Sequence, residues 1–257
     1  MKEKPFSKYQ ILANAVMIIW TLAIILPFIL LFMSSITDEN TLVANGYSFF
    51  PKKFSLASYS YIIKSGGQIL KAYGVSIGVT VVGTLLNVLL SALMAYPLSV
   101  KNLPGRNVMM FFVFFTMLFN GGIVPSYIMW TGTFHIKDTI FAQLLPNFLL
   151  SAWNVMMIRT YFTTSIPDGL YEAAEIDGAS QFTIFWKIVL PLGKPILVTM
   201  GTFAGLAYWN DWTNGLYYVT DAKLYSLQNL LNRILQDVQF LNSSTMTNAG
   251  VAATTQM

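Results

Sequence analysis

Few side chains in this chain have the chemistry to act on another molecule, and they fall in small groups. Glu172, Glu175 and Asp177 lie within one short helical stretch and make an acidic edge able to meet basic residues of a partner. Trp209-Asn210-Asp211-Trp212 joins flat aromatic faces to amide and carboxylate groups. Such a set either stacks on and hydrogen-bonds a ligand or anchors a helix end at a membrane surface. Asn87 and Asn120 interrupt apolar runs, where an amide is costly unless it is bonded. His135, the only histidine, has no companion at metal-ligand spacing and reads as a solvated turn residue. With no cysteine there is no disulfide framework or thiol nucleophile. No glycine-rich phosphate loop with its lysine is present either, which excludes ATP hydrolysis by that route. No cofactor or metal is expected.

The chain that must position these groups has 257 residues, of which 55% are hydrophobic and 10% charged. Soluble domains carry about 25% charged residues, so the composition is that of an integral membrane protein with lipid around it. The net charge of +4 comes from scattered lysines and arginines, not from a basic stripe with interleaved aromatics, and nucleic acid is not an expected partner. Lys2, Lys4 and Lys8 precede an apolar run over 11–33. The run is too long for a signal-peptide core, and Ser34-Ser35-Ile36 offers no cleavage pattern. It is long enough to cross a hydrocarbon layer of about 30 Å, with Pro27 as a possible kink site.

Further spans are expected at about 73–98, 108–130, 139–159 and 195–209. Residues 34–72 read as a polar loop with turn signals and interfacial aromatics such as Tyr47, Phe50 and Tyr59. In the second span Thr80, Thr84, Asn87 and Ser91 share one face, suited to close helix packing or to lining a path, while Gly74, Gly78 and Gly83 thin the helix elsewhere. The third span is broken by Asn120-Gly121-Gly122 and Pro125. Non-helical backbone at membrane depth either lines a cavity or is packed by protein, so Asn120 marks a path candidate or a plain kink. The fourth contains Pro146-Asn147 and Asn154, and Arg159 belongs at its inner boundary.

Residues 165–194 are the polar interruption. Ser165 can cap a first helix opened by Pro167 and Asp168 and stopped by Gly178. Ser180 can cap a second, in which Phe182, Phe185, Trp186, Val189 and Leu190 fall on one greasy anchoring face until Pro191 ends it. The pair reads as an exposed, rigid handle.

Glu172-Ala173-Ala174, Asp177-Gly178, Ile188, Leu190-Pro191 and, beyond the loop, Pro195 resemble the EAA loop of permease subunits of binding-protein-dependent ABC importers. The likeness is greatest to the branch that imports sugars and oligosaccharides, and it extends over most of the chain. It implies an all-α integral membrane fold, a single permease domain, with the hairpin docking on ATPase subunits. It also implies two such ATPases, a second permease and an extracytoplasmic solute-binding protein. Glu172, Ala173, Ala174, Asp177, Gly178, Ile188, Leu190 and Pro191 would carry the coupling; Asn87, Asn120, Trp209, Asn210 and Asp211 are the substrate-path candidates. Family members typically have six helices, and five are legible here, so a last helix is expected beyond Met257. Lysine and arginine are densest in the N-terminal tail, the turn at 101–106 and the hairpin loop, which assigns these to the cytoplasmic side of a bacterial inner membrane. The residues alone leave open a secondary transporter or channel, an importer of a non-sugar solute, or a membrane enzyme. The spans hold no ionisable group for ion coupling, and His135 has no catalytic company.

Overall fold

The computed structural model describes residues 8–64 and 66–254, with 43, 44 and 241–254 described as backbone only. Lys2 and Lys4 of the basic flank lie outside the described residues. Among those residues the chain is helical throughout, with one isolated bridge, Thr37 to Phe54, and no strand. It divides into two compact units, Met1–Ile69 and Leu70–Met257.

The first unit is dominated by α1, Lys8–Ser35, whose residues are mostly apolar and none of which is buried. A helix apolar round most of its circumference requires apolar surroundings, and α1 is long and apolar enough to cross a membrane. Pro27 lies inside α1 without ending it. The expected loop after it is more ordered than its composition suggests. It contains α2, Glu39–Asn45, and α3, Ala57–Lys64. Its base is closed by Asp38 N–H to the Lys53 carbonyl at 3.0 Å and Ser55 N–H to the Ile36 carbonyl at 2.9 Å.

In the second unit the organising element is α4, Gly66–Ser99. It starts earlier than the expected 73 because Gln68, Ile69 and Leu70 extend the helix through the Gly66-Gly67 turn signal. Its buried stripe runs through Ser76, Val79, Gly83, Asn87, Ser91 and Ala95. Gly83 therefore lies on the packed face, not away from it as the sequence reading had it. A Cβ there would stand 2.5 Å from Cζ of Tyr208, so only glycine lets the two helices approach.

The next segments are broken. α5, Arg106–Leu118, and α6, Ile123–Thr133, meet at 110° across the Asn120-Gly121-Gly122 break. The expected fourth span is two pieces, α7, Phe141–Leu144, and α8, Ala152–Ser165. Pro146 removes an N–H and restricts its predecessor, and Asn147 takes a left-handed φ of 67°. After the hairpin helices α9, Asp168–Ile176, and α10, Gln181–Leu192, the chain turns by 78° into α11, Lys194–Trp209. Among the described residues two helices, α1 and α4, are individually long and apolar enough to cross a membrane, and the pairs α5/α6 and α10/α11 pass the same test when each is taken together.

The chain beyond the fifth expected span is also helical. It forms α12, Thr213–Tyr218, and then α13, Leu227–Thr254. Leu227, Leu230, Leu231, Ile234, Leu235 and Val238 recur at helical spacing, a signal masked by the polar residues between them.

Candidate functional site

The hairpin is built on the largest apolar core of the second unit. Ile184, Phe185 and Val189 are at most 1% exposed and cluster with Ile158 and Phe162 of α8 and with Ala95 and Tyr96 of α4. Ala174 is its counterpart on α9. The other side of α9 is open: Glu172, Ala173, Asp177 and Gly178 are exposed, and Ile176 is 86% exposed.

Local signals set the geometry. Gly178 has φ 75°, and its N–H reaches the Glu175 carbonyl while that of Ala179 reaches Ala174, the paired bonds of a Schellman stop. Ser180 Oγ accepts from Thr183 N–H at 3.2 Å and caps α10. Two expectations need correction. Ser165 does not cap α9; it is the last residue of α8, and Pro167 occupies the cap position. The greasy face of α10 is also split: Phe182 and Trp186 are 66% and 44% exposed, whereas Ile184 is sealed. The stretch Phe185–Val189 winds as a π turn, whose wider repeat rotates side chains off the α-helical face. Ile188 and Leu190 pack partly against the core. Pro191 does not end the helix; it opens the segment Leu190–Leu192, and the bend falls at Gly193.

The amides form a second region. Asn87 is 2% exposed. Its Nδ2 donates to the Phe148 carbonyl at 2.6 Å, and its Oδ1 accepts from Asn154 Nδ2 at 2.8 Å. It thereby ties α4 to the break in the fourth segment, a satisfied polar bridge of the kind an apolar interior demands. A cleft of about 260 Å³ opens beside it, lined by Asn87, Asn147, Ser151, Asn154, Ala207 and Tyr208 among others. A second, of about 180 Å³, is lined by Asn120, Ser126, Asn147, Thr213, Asn214 and Tyr217. Asn147 borders both, so the break in the fourth segment lies between the two clefts, the second of which is also lined by the break in the third. Asn147 Nδ2 donates to Asn214 Oδ1 at 3.4 Å, and Asn214 Nδ2 to the Pro146 carbonyl at 3.0 Å.

Trp209, Asn210 and Asp211 do not appear in either lining. Trp209 packs on Tyr73 with ring centroids 6.4 Å apart. Asn210 is exposed and donates back to the Leu206 carbonyl. Asp211 Oδ1 accepts from the N–H groups of Thr213 and Asn214 at 3.0 and 3.2 Å and so holds the start of α12. His135 is exposed in its turn. The residues the sequence undervalued are Asn147, Ser151 and Tyr208; the proline-asparagine pair at 146–147 was the available signal for the first of them.

Residues 73–255 match the family described as binding-protein-dependent transport system inner membrane component. The chain belongs to that family. The matched stretch contains the whole hairpin and both amide clefts. The chain is 37% identical over 227 residues to Protein LplC of Bacillus subtilis, covering 88% of this chain and 76% of that protein. It is 36% identical to the polygalacturonan/rhamnogalacturonan transport system permease protein YtcP of the same organism, covering 88% and 78%. A solved bacterial ABC transporter involved in the import of the acidic polysaccharide alginate contains a chain of the same fold. The two agree with TM-score 0.79 and 27% identity, over 95% of this chain and 89% of that one. As a family member the protein is a membrane permease component; its similarity is to transport subunits.

Proposed function

We propose that the chain is the permease subunit of an ATP-driven importer for a sugar or oligosaccharide, and that the hairpin at 165–194 receives the work of ATP hydrolysis from partner subunits. The observation that carries this reading is the construction of the hairpin: an exposed acidic edge, Glu172 to Gly178, held rigidly on a sealed core. The carbohydrate class rests on relatives whose names specify polygalacturonan, rhamnogalacturonan and alginate. The partners are two ATPases meeting Glu172, Ala173, Asp177 and Gly178, a second permease in the bilayer, and a solute-binding protein on the outer side. The ion pair of Lys101 with Asp168 joins the basic turn after α4 to the hairpin. That pairing supports putting turn and hairpin on one face, and the density of lysine and arginine in them and in the N-terminal tail is the reason for proposing that all three are cytoplasmic.

The amide clefts suit the path. Broken helices whose backbone turns polar belong where they line a cavity, and carboxamides with a tyrosine offer hydrogen bonds and a ring face to hydroxyl-rich solutes. Asn120, Asn147 and Asn154 are the contacting groups in this reading, with Asn87 holding the wall. Trp209 serves as an interfacial anchor and Asp211 as a helix cap.

Gly178→Asp tests the docking role, because a side chain opposes positive φ and the added charge falls on the exposed edge. In mild detergent the wild type should retain ATPase subunits through affinity purification, and the variant, still present in the membrane, should lose them or hydrolyse ATP without uptake. Normal uptake by the variant would refute docking through this loop.

A further inference from the structure

We infer that Tyr96 is the positioning residue through which displacement of the hairpin reaches α4 and, along it, the amide clefts. The inference rests on the docking role proposed above. Tyr96 lies near the end of α4 and is 8% exposed. Its ring is flanked by one aromatic from each hairpin helix: Tyr171 of α9 at 6.5 Å between centroids and Phe185 of α10 at 5.3 Å. Its hydroxyl donates to Gln181 Oε1 at 2.5 Å, and Gln181 Nε2 donates to Glu175 Oε1 at 2.8 Å. One side chain of α4 thus contacts both hairpin helices and, through Gln181, bonds to a carboxylate of the docking edge, Glu175.

Apolar contacts alone let packed helices slide; the hydrogen-bonded chain from Tyr96 through Gln181 to Glu175 sets a direction. The nearby ion pair of Lys101 with Asp168 cannot do the same, since both side chains are more than half exposed, at 58% and 56%, and such pairs contribute little. Asn87 lies farther along the same helix, about 14 Å away at 1.5 Å per residue, and bonds to the Phe148 carbonyl and Asn154 at the break. A continuous helix fixed to the hairpin at Tyr96 and to the break at Asn87 moves as a rod.

The absence of native cysteine allows labels to be placed singly. Nitroxides at Ile176→Cys on the hairpin and Leu85→Cys on α4, both exposed, report whether the two move together in the ATPase-bound complex. The distance is measured without nucleotide and with ADP-vanadate trapped. In the wild type it should be the same in both states. Tyr96→Phe keeps the ring and removes the hydroxyl. It should leave the nucleotide-free distance unchanged, separate the labels on trapping, and lower solute taken up per ATP hydrolysed by roughly fivefold, the worth of one neutral hydrogen bond. Gln181→Met should do the same, and the double variant should be no worse than either single one. Unchanged distances and coupling in both single variants would overturn the role of Tyr96 while leaving docking intact. Failure of the wild-type complex to hold an ATPase would overturn the docking reading itself, and this inference with it.

Discussion

Where Ile184, Phe185 and Val189 close against Ile158 and Phe162, the facing side chains are apolar and sealed. Around Asn147 carboxamides, hydroxyls and tyrosines are mixed with apolar side chains such as Phe148 and Phe203, and open clefts lie between them. Both regions belong to the second unit, both are made from interrupted helices, and both use a residue at positive φ, Gly178 in one and Asn147 in the other. The difference shows where each kind of interruption belongs. At the hairpin the broken backbone is backed by a sealed apolar core, which is what the proposed docking role would require of it. In the middle the broken backbone is held by amide pairs, and on the path reading proposed above the polar groups left over are the ones that would meet a solute.

The largest expected effect lies at the hairpin core. Phe185→Ala removes a ring that is 1% exposed and contacts Tyr96 and Trp186. It should cost about 3–5 kcal/mol, read as a drop in the thermal midpoint of the detergent-purified protein. A cost under about 1 kcal/mol would mean that the hairpin sits loosely and that the contrast between the two regions is wrong.

Asn147→Gly probes the other side of the contrast. Glycine accepts the left-handed φ of 67° without strain, and the amide it removes makes only one long bond, 3.4 Å to Asn214. Stability should stay within about 0.5 kcal/mol of wild type, while uptake by the assembled complex should weaken mainly through a higher KM. A variant as unstable as Phe185→Ala, with unchanged uptake kinetics in the surviving fraction, would turn Asn147 into a structural residue and remove the path reading from this cleft.

Much of this was legible in the residues. The hairpin was, because its punctuation is local: Gly178, Ser180 and the spacing from Glu172 to Pro191 act within a few residues of themselves. The breaks at Asn120 and Pro146 were also visible as local chemistry. The rest depends on packing between distant segments. Nothing near Trp186 announces the π turn at Phe185–Val189, and nothing near Phe182 announces that Ile184 will be sealed in its place. Tyr96 reads as one more aromatic at a helix end until Tyr171, Phe185 and Gln181 are brought to it from 75 or more positions away. In α13 the helical spacing of leucines was outweighed by polar residues in between, which an averaged hydropathy cannot separate from a loop. Asp211 is a related case: a carboxylate between tryptophans suggests a ligand, and nothing local announces that its Oδ1 will accept from the first N–H groups of α12.

The smallest effect is expected at Asp138, in the turn before α7. Its carboxylate accepts from the Thr220 hydroxyl at 2.7 Å, from Asp221 N–H at 3.0 Å and from Thr220 N–H. These bonds fasten the turn to the segment after α12. Hydrogen bonding to the charged form, led by the Thr220 hydroxyl, holds its pKa below the ordinary carboxylate value. With the folded pKa depressed, the contribution is complete above the unfolded value, near 3.9, and is lost as pH falls through the folded one. Neutral and mildly acidic pH should therefore leave the fastening intact, and loosening should set in only below about pH 4. Amide exchange at Thr220 and Asp221, corrected for its intrinsic pH dependence, reads this directly. Asp138→Asn should raise exchange there at every pH, since an amide accepts these bonds more weakly than a carboxylate. Hairpin packing and ATPase retention should be untouched, because Asp138 takes part in neither region. A loss of ATPase capture in Asp138→Asn would show that the turn and the hairpin are coupled through the body of the protein, and that the two regions are parts of one mechanical unit.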